Sequence, residues 1–112
     1  MKVLYKLPGE YPQVKEIEND LEALQTLVGG YIETLDVVSM LGTDRRLVLI
    51  CDEEAKLKEP RPETNLMLTP TNYVLGPVVL VAAEEDYFDS LTIHETEMGR
   101  GWLNMVAVNK RR

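Results

Sequence analysis

Residues 2–7 alternate as Lys-Val-Leu-Tyr-Lys-Leu, and this period of two with β-branched and aromatic content predicts a strand. Pro8-Gly9-Glu10-Tyr11-Pro12 is turn chemistry, so residues 13–17 are expected to return as the second strand of a hairpin. The prolines make that connection longer than a tight two-residue turn. Asn19 is placed to cap a helix, with Asp20 and Glu22 in its first turn near the positive end of the helix dipole. Leu21, Leu24, Leu27 and Val28 recur at helical spacing and mark a buried face. Gly29-Gly30 supplies a left-handed stop, which gives a helix over residues 20–28.

Residues 31–38 are β-rich, and Leu41-Gly42-Thr43-Asp44 reads as a turn. Residues 46–51, Arg-Leu-Val-Leu-Ile-Cys, form a nearly continuous apolar run, as in a strand covered on both faces. The two segments are expected to pair as an antiparallel hairpin. Residues 52–71 contain Pro60, Pro62 and Pro70 with charges throughout, and read as a long irregular loop of the functional or mobile kind. Order resumes over 73–83, where Gly76-Pro77 precedes a buried strand of sequence Val-Val-Leu-Val-Ala-Ala. Glu84-Glu85-Asp86 ahead of Tyr87, Phe88 and Leu91 predicts a short helix with acids in its first turn. Thr92 and Glu95 have capping-box spacing for a further helical stretch, which Gly99 and Gly101 are expected to end. Residues 102–108 read equally as a last strand or an amphipathic arm. The expected architecture is one α+β domain over 1–112: a mainly antiparallel sheet of about five strands with the 20–28 helix as the principal helix on one face. The path of an arm over about 93–112 is left open.

Composition adds limits. The chain has 112 residues with 45% apolar content, enough for a single core. No apolar run approaches the ~20 residues of a membrane span, and residues 1–7 lack the apolar region of a cleavable signal. A soluble cytosolic domain is expected. Nineteen acids against twelve bases give a net charge of −7. Residues 52–97 hold eleven acids against Lys56, Lys58 and Arg61, while Lys110-Arg111-Arg112 form a short basic end. That field repels nucleic acid and anionic lipid, so no direct nucleic-acid or membrane partner is expected. It leaves solubility, a basic protein partner, or mimicry of a nucleic-acid backbone.

The single cysteine, Cys51, and single histidine, His94, exclude a disulfide framework and disfavour a zinc centre or a Ser-His-Asp triad. Cys51 ends an apolar run and reads as a buried inert thiol. His94 is expected to face solvent. Gly29-Gly30 follows a helix and precedes a strand, the reverse of a phosphate-cradling loop. Asp52-Glu53-Glu54 offers oxygen ligands at a strand end, but adjacent carboxylates diverge, so a solvated turn or an ion pair with Lys56 is the plainer reading. Glu33 inside its strand needs a partner if it faces inward, and Arg45, Arg46, Arg61 and Lys56 are the available cations. No cofactor, no metal and no catalytic residue is expected.

The stretches Leu24-Gln25-Thr26-Leu27-Val28-Gly29-Gly30-Tyr31-Ile32-Glu33 and Leu49-Ile50-Cys51-Asp52-Glu53-Glu54-Ala55-Lys56-Leu57 resemble the signature of the domain of unknown function 3846 family. Pro62 to Asn65, Leu75-Gly76-Pro77-Val78-Val79 and the acidic residues 84–92 are similar to its later segments. The likeness covers residues 2–92. Asp52 and Ala55 stand where the family usually shows asparagine and glycine. The resemblance implies an accessory protein of bacteriophages or conjugative elements, acting in the bacterial cytoplasm, and it brings no catalytic activity with it. It raises the expectation of a role against host defence.

Two functional readings lead. The first is a non-enzymatic module that sequesters a nucleotide-derived small-molecule signal. It would use Glu33, Lys56, Arg61, Asn65 and Arg100, with Tyr31, Tyr73 or Trp102 as a stacking surface and Trp102 beside Arg100 as one candidate platform. The second is an acidic inhibitor or DNA mimic acting on a basic host protein. An enzyme using Asp52, Glu53 and Glu54 or Cys51, and a structural phage protein without a ligand, are the remaining classes. Self-association into a homo-oligomer is expected from the aromatic content and the Trp-bearing apolar end.

Overall fold

The structure is a computed structural model and describes residues 1–37 and 42–108. Its strands are β1 (Lys2–Lys6), β2 (Gln13–Glu16), β3 (Ile32–Asp36), β4 (Arg46–Asp52), β5 (Thr64–Thr69), β6 (Asn72–Leu75), β7 (Val78–Ala83) and β8 (Phe88–Asp89). The helices are α1 (Leu21–Val28) and α2 (Ile93–Val106), and a 3-10 turn covers Ala55–Leu57. The main sheet runs β2-β1-β7-β4-β3, with β8 pairing the end of β7, and every pairing in it is antiparallel. β5 and β6 form a separate two-stranded sheet.

β7 is buried along its whole length and β4 everywhere but Arg46, because both sheet faces are covered there. That cover explains why their sequences are continuous apolar runs rather than alternating ones. Val3, Val48, Ile50, Val79 and Val81 face α1 through Leu24 and Val28. Leu4, Leu47, Leu49, Cys51, Leu80 and Ala82 face the opposite way, under Trp102 and Leu103 of α2 and Leu66 and Val74 of the β5–β6 hairpin. The molecule is therefore three-layered and α+β, with the sheet in the middle.

Several local expectations are corrected. The cap of α1 is Asp20, whose carboxylate accepts from the Ala23 N–H at 2.8 Å, while the Asn19 amide donates to the Phe88 carbonyl instead. Leu21 is 56% exposed, so the buried stripe of α1 rests on Leu24 and Val28. Gly29 does end the helix in the left-handed region, with φ 87°. Residues 52–71 hold a strand, β5, which the flanking prolines hid in the sequence. No helix forms over 84–91. β7 turns directly into β8 through the Glu84 N–H on the Tyr87 carbonyl, at 2.8 Å. Val38 of the predicted strand, Leu41 of the predicted turn and the basic end 110–112 lie outside the described residues.

The largest correction concerns the C-terminal segment. Thr92 and Glu95 form a complete capping box, and α2 then continues for 14 residues through both glycines. It, rather than the 8-residue α1, is the principal helix. Gly99 is a contact point rather than a stop: a Cβ there would sit 2.5 Å from Leu80 Cδ2 and 3.1 Å from Leu4 Cδ1, so glycine lets α2 lie close on the sheet. Among the described residues no helix is long and apolar enough to cross a membrane.

Candidate functional site

Antiparallel register sets Ile32 opposite Asp52 and Glu33 opposite Cys51, so the glycine-pair segment and the acidic segment of the sequence become neighbours. Gly30 packs directly on Asp52. A Cβ at Gly30 would lie 2.7 Å from Asp52 Oδ1, which only glycine avoids. Asp52 is 6% exposed, and its Oδ1 accepts from the Glu54 N–H at 2.9 Å. Its other oxygen pairs with the Lys58 ammonium, which also donates to the Gly29 carbonyl at 2.7 Å. The Glu53 N–H closes the arrangement on the Tyr31 carbonyl at 2.8 Å. The partner of Asp52 is therefore Lys58, not Lys56, and Lys56 is left for other contacts.

Period-two alternation turns Glu33 and Leu35 of β3 to the same side of the sheet as Cys51, the side where β6 stands off the edge. Between them lies a cleft of about 290 Å³, lined also by Ala55 and Lys56 of the 3-10 turn and by Asn72, Tyr73, Val74 and Leu75 of β6. The Lys56 ammonium sits 4.2 Å from the centre of the Tyr73 ring and, among the described residues, makes no ion pair. Glu33 accepts one long contact, from the Cys51 thiol at 3.9 Å. The Cys51 thiol is pushed up to about 12 by burial first, then by the negative charges of Glu33 and Asp52. That shift disfavours the thiolate, the nucleophilic form, at neutral pH. His94 is exposed on α2. Among the described residues, no group of three or more His, Cys, Asp or Glu side chains is placed to hold a metal ion.

Of the sequence-predicted ligand residues, Glu33, Lys56 and the stacking candidate Tyr73 meet in this cleft. Arg61 stands beside it and donates to the Lys56 carbonyl at 3.3 Å. Tyr31 is 66% exposed and contributes its backbone to the Glu53 brace, not a wall of the cleft. Asn65 is corrected to an internal staple. It is fully buried, donates to the Lys6 and Gly76 carbonyls at 2.9 and 2.8 Å, and accepts from the Lys6 ammonium. Trp102 is corrected likewise: at 4% exposure, packed in the core between α2 and the sheet, it offers no stacking platform. Arg100 reaches Glu97 and the Pro12 carbonyl, which involves it with the β1–β2 connection. Glu53, considered in the sequence only as part of an acidic metal or catalytic cluster, lines the cleft, and Asn72 was missed. The Pro70-Thr71 turn between β5 and β6 is the signal that would have brought Asn72 to the site beside Tyr73.

A second concentration of charge gathers around Arg45. Its guanidinium bonds Glu95 at 2.7 and 2.9 Å, Asp89 at 2.8 Å, Glu84 at 3.5 Å and the Ser90 carbonyl at 2.8 Å. Asp89 and Glu95 are held below the usual carboxylate range, first of all by their hydrogen bonds to Arg45. Arg45 is thus not a partner for Glu33; it ties β4, the β7–β8 turn and the start of α2 together. Near that end a larger hollow of about 460 Å³ opens between α1 and β8. Asp20, Glu84, Glu85 and Asp86 surround it with Arg46 as its one lining cation, so it lacks the balanced chemistry of the cleft.

A family model described as domain of unknown function (DUF3846) matches residues 1–102. No curated protein and no solved structure gives a significant match. The matched span contains β1 through β8, most of α2, the Gly30–Asp52–Lys58 brace and every wall of the cleft. The chain belongs to the domain of unknown function 3846 family.

Proposed function

We propose that the protein is a non-enzymatic binding module, an accessory protein of a phage or mobile element, that sequesters a nucleotide-derived small-molecule signal of host defence. The observation that carries this reading is the cleft. Glu33 and Lys56 line it with polar groups left largely unspent, while Leu35, Val74 and the Tyr73 ring add apolar surface. Ligand sites combine such apolar walls with a few placed polar groups. The protonated Cys51 thiol supports binding over covalent chemistry. The phage and anti-defence setting rests on the resemblance. The acidic-mimic reading draws less support. Of the eleven acids over 52–97, Asp52, Glu84, Asp89, Glu95 and Glu97 are already engaged by Lys58, Arg45 or Arg100.

The test is a capture assay with a panel of cyclic oligonucleotides and ADP-ribose derivatives. Free ligand is quantified before and after heat denaturation of the protein. Depletion followed by return of the intact molecule is expected, with Lys56→Ala reducing the depletion. A ligand that returns altered would replace the binding module with an enzyme, and no depletion across the panel would remove the sequestration reading for these ligands.

A further inference from the structure

The cleft presents two kinds of polar group to a ligand. Glu33 and Glu53 are carboxylates and accept hydrogen bonds only; Lys56 donates only. Asp52 lines the cleft but is committed to Lys58 and the Glu54 N–H. Glu33 and Lys56 line the same cleft, so their opposite charges face one small volume. A ligand that satisfies both needs adjacent N–H donors and an acceptor along a single edge. Its body must be flat and apolar enough to lie along Leu35, Val74 and Tyr73. At about 290 Å³ the space falls at the lower limit of ligand pockets, enough for one ring system and not for a dinucleotide.

Phosphate suits this cleft poorly. It would meet two carboxylates, Glu33 and Glu53, against a single lysine. We infer that the cleft reads a guanine-type base, with its N1–H and N2–H groups on Glu33 and its O6 on Lys56, while any phosphates stay in solvent. This inference rests on the ligand-capture reading and names the part of the ligand that enters. Adenine turns a lone pair toward Glu33 where guanine carries N1–H, so the same carboxylate that holds guanine repels adenine. Reading a base by its hydrogen-bonding edge with apolar contact to its face is the general way proteins select one ring over another.

Titration calorimetry on the full chain, with guanosine, guanosine monophosphate, adenosine and inorganic phosphate as probes, tests this. Guanosine and its monophosphate are expected to bind within about threefold of each other, adenosine about tenfold or more weakly, and phosphate not at all. Glu33→Gln, an exposed and nearly isosteric change, should lose the guanosine preference while its melting temperature stays at the wild-type value. Equal binding of adenosine and guanosine overturns the inference, as does a monophosphate about tenfold tighter than the nucleoside. An unchanged preference in Glu33→Gln overturns it too. If the guanine probes are silent while the capture panel depletes a ligand without that edge, this inference falls and the capture reading stands. If both are silent, both fall.

Discussion

Just before β4, Arg45 meets Glu84, Asp89 and Glu95, and each of those carboxylates is turned inward onto one guanidinium. Past the other end of the same strand, Lys56 and Glu33 line a common cleft, with Lys56 resting on an aromatic ring and Glu33 touched by a thiol. Both places are charged, and both lie beside a hollow. They differ in whether the charges have found protein partners. A guanidinium that fills its fork with carboxylates and a carbonyl is a brace between chain segments. A lysine and a glutamate that share a cleft without spending their hydrogen-bonding capacity are free to meet something else. The neighbouring Asp52–Lys58 pair shows the two uses side by side, since it holds the floor of the cleft rigid while Lys56, two residues earlier, is left open.

Breaking the brace should have the largest effect. Arg45→Ala leaves Glu95, 5% exposed, as a buried carboxylate with the Thr92 N–H of its capping box but no countercharge, and is expected to destabilise the fold by about 3 kcal/mol in urea denaturation. Its pH dependence has a definite sign. Asp89 and Glu95 titrate lower in the folded chain than in the unfolded one, so their pairing contributes above the unfolded value of about 4 and is lost as the pH falls through the folded values. The stability gap between wild type and Arg45→Ala should therefore be full at pH 7 and shrink progressively below about pH 4.

Removing the structural half of the other end comes next. Lys58→Ala should cost about 1–2 kcal/mol, less than Arg45→Ala, because Lys58 is itself 39% exposed while the Asp52 carboxylate it serves is buried. Gly30→Ala forces Asp52 aside from 2.7 Å and should cost about 1 kcal/mol by the same assay, with weakened ligand capture because the cleft floor moves. Lys56→Ala sits at the bottom of the stability scale. It is expected within about 0.5 kcal/mol of wild type, since the side chain is exposed and holds only the Tyr73 ring, yet it should remove most capture. A Lys56→Ala loss as large as that of Arg45→Ala would erase the distinction between the two ends.

How much of this the sequence carried depends on the range of the interaction. β4 and β7 were legible because burial on both faces leaves a continuous apolar run, and the Thr92–Glu95 box because its partners are three residues apart. The acids of 84–89 read as the start of a helix because the true partner of Glu84 and Asp89, Arg45, lies some forty residues earlier and no local pattern points to it. Gly99 looked like a helix stop, since a glycine needed for close approach to Leu80 is identical in sequence to one that ends a helix. The site divided the same way. The β3–β4 hairpin was recognised, which set Glu33 on a strand, while Lys56 fell in the stretch read as an irregular loop and sits in the 3-10 turn. The far wall needed β5 and β6 to be seen as a hairpin, and prolines at 60, 62 and 70 concealed it. Asn65 and Trp102 carried site-like chemistry that burial had already absorbed.

The proposed seat of a small ligand is the cleft between β3, β4 and β6. Chemical-shift mapping of the isotopically labelled protein during titration with guanosine monophosphate locates that place directly. The predicted result is shifts concentrated on the amides of Glu33, Cys51, Lys56 and Tyr73, with the Arg45 end silent. Shifts centred on Leu21, Tyr87 and the larger hollow, or none at saturating ligand, would contradict it.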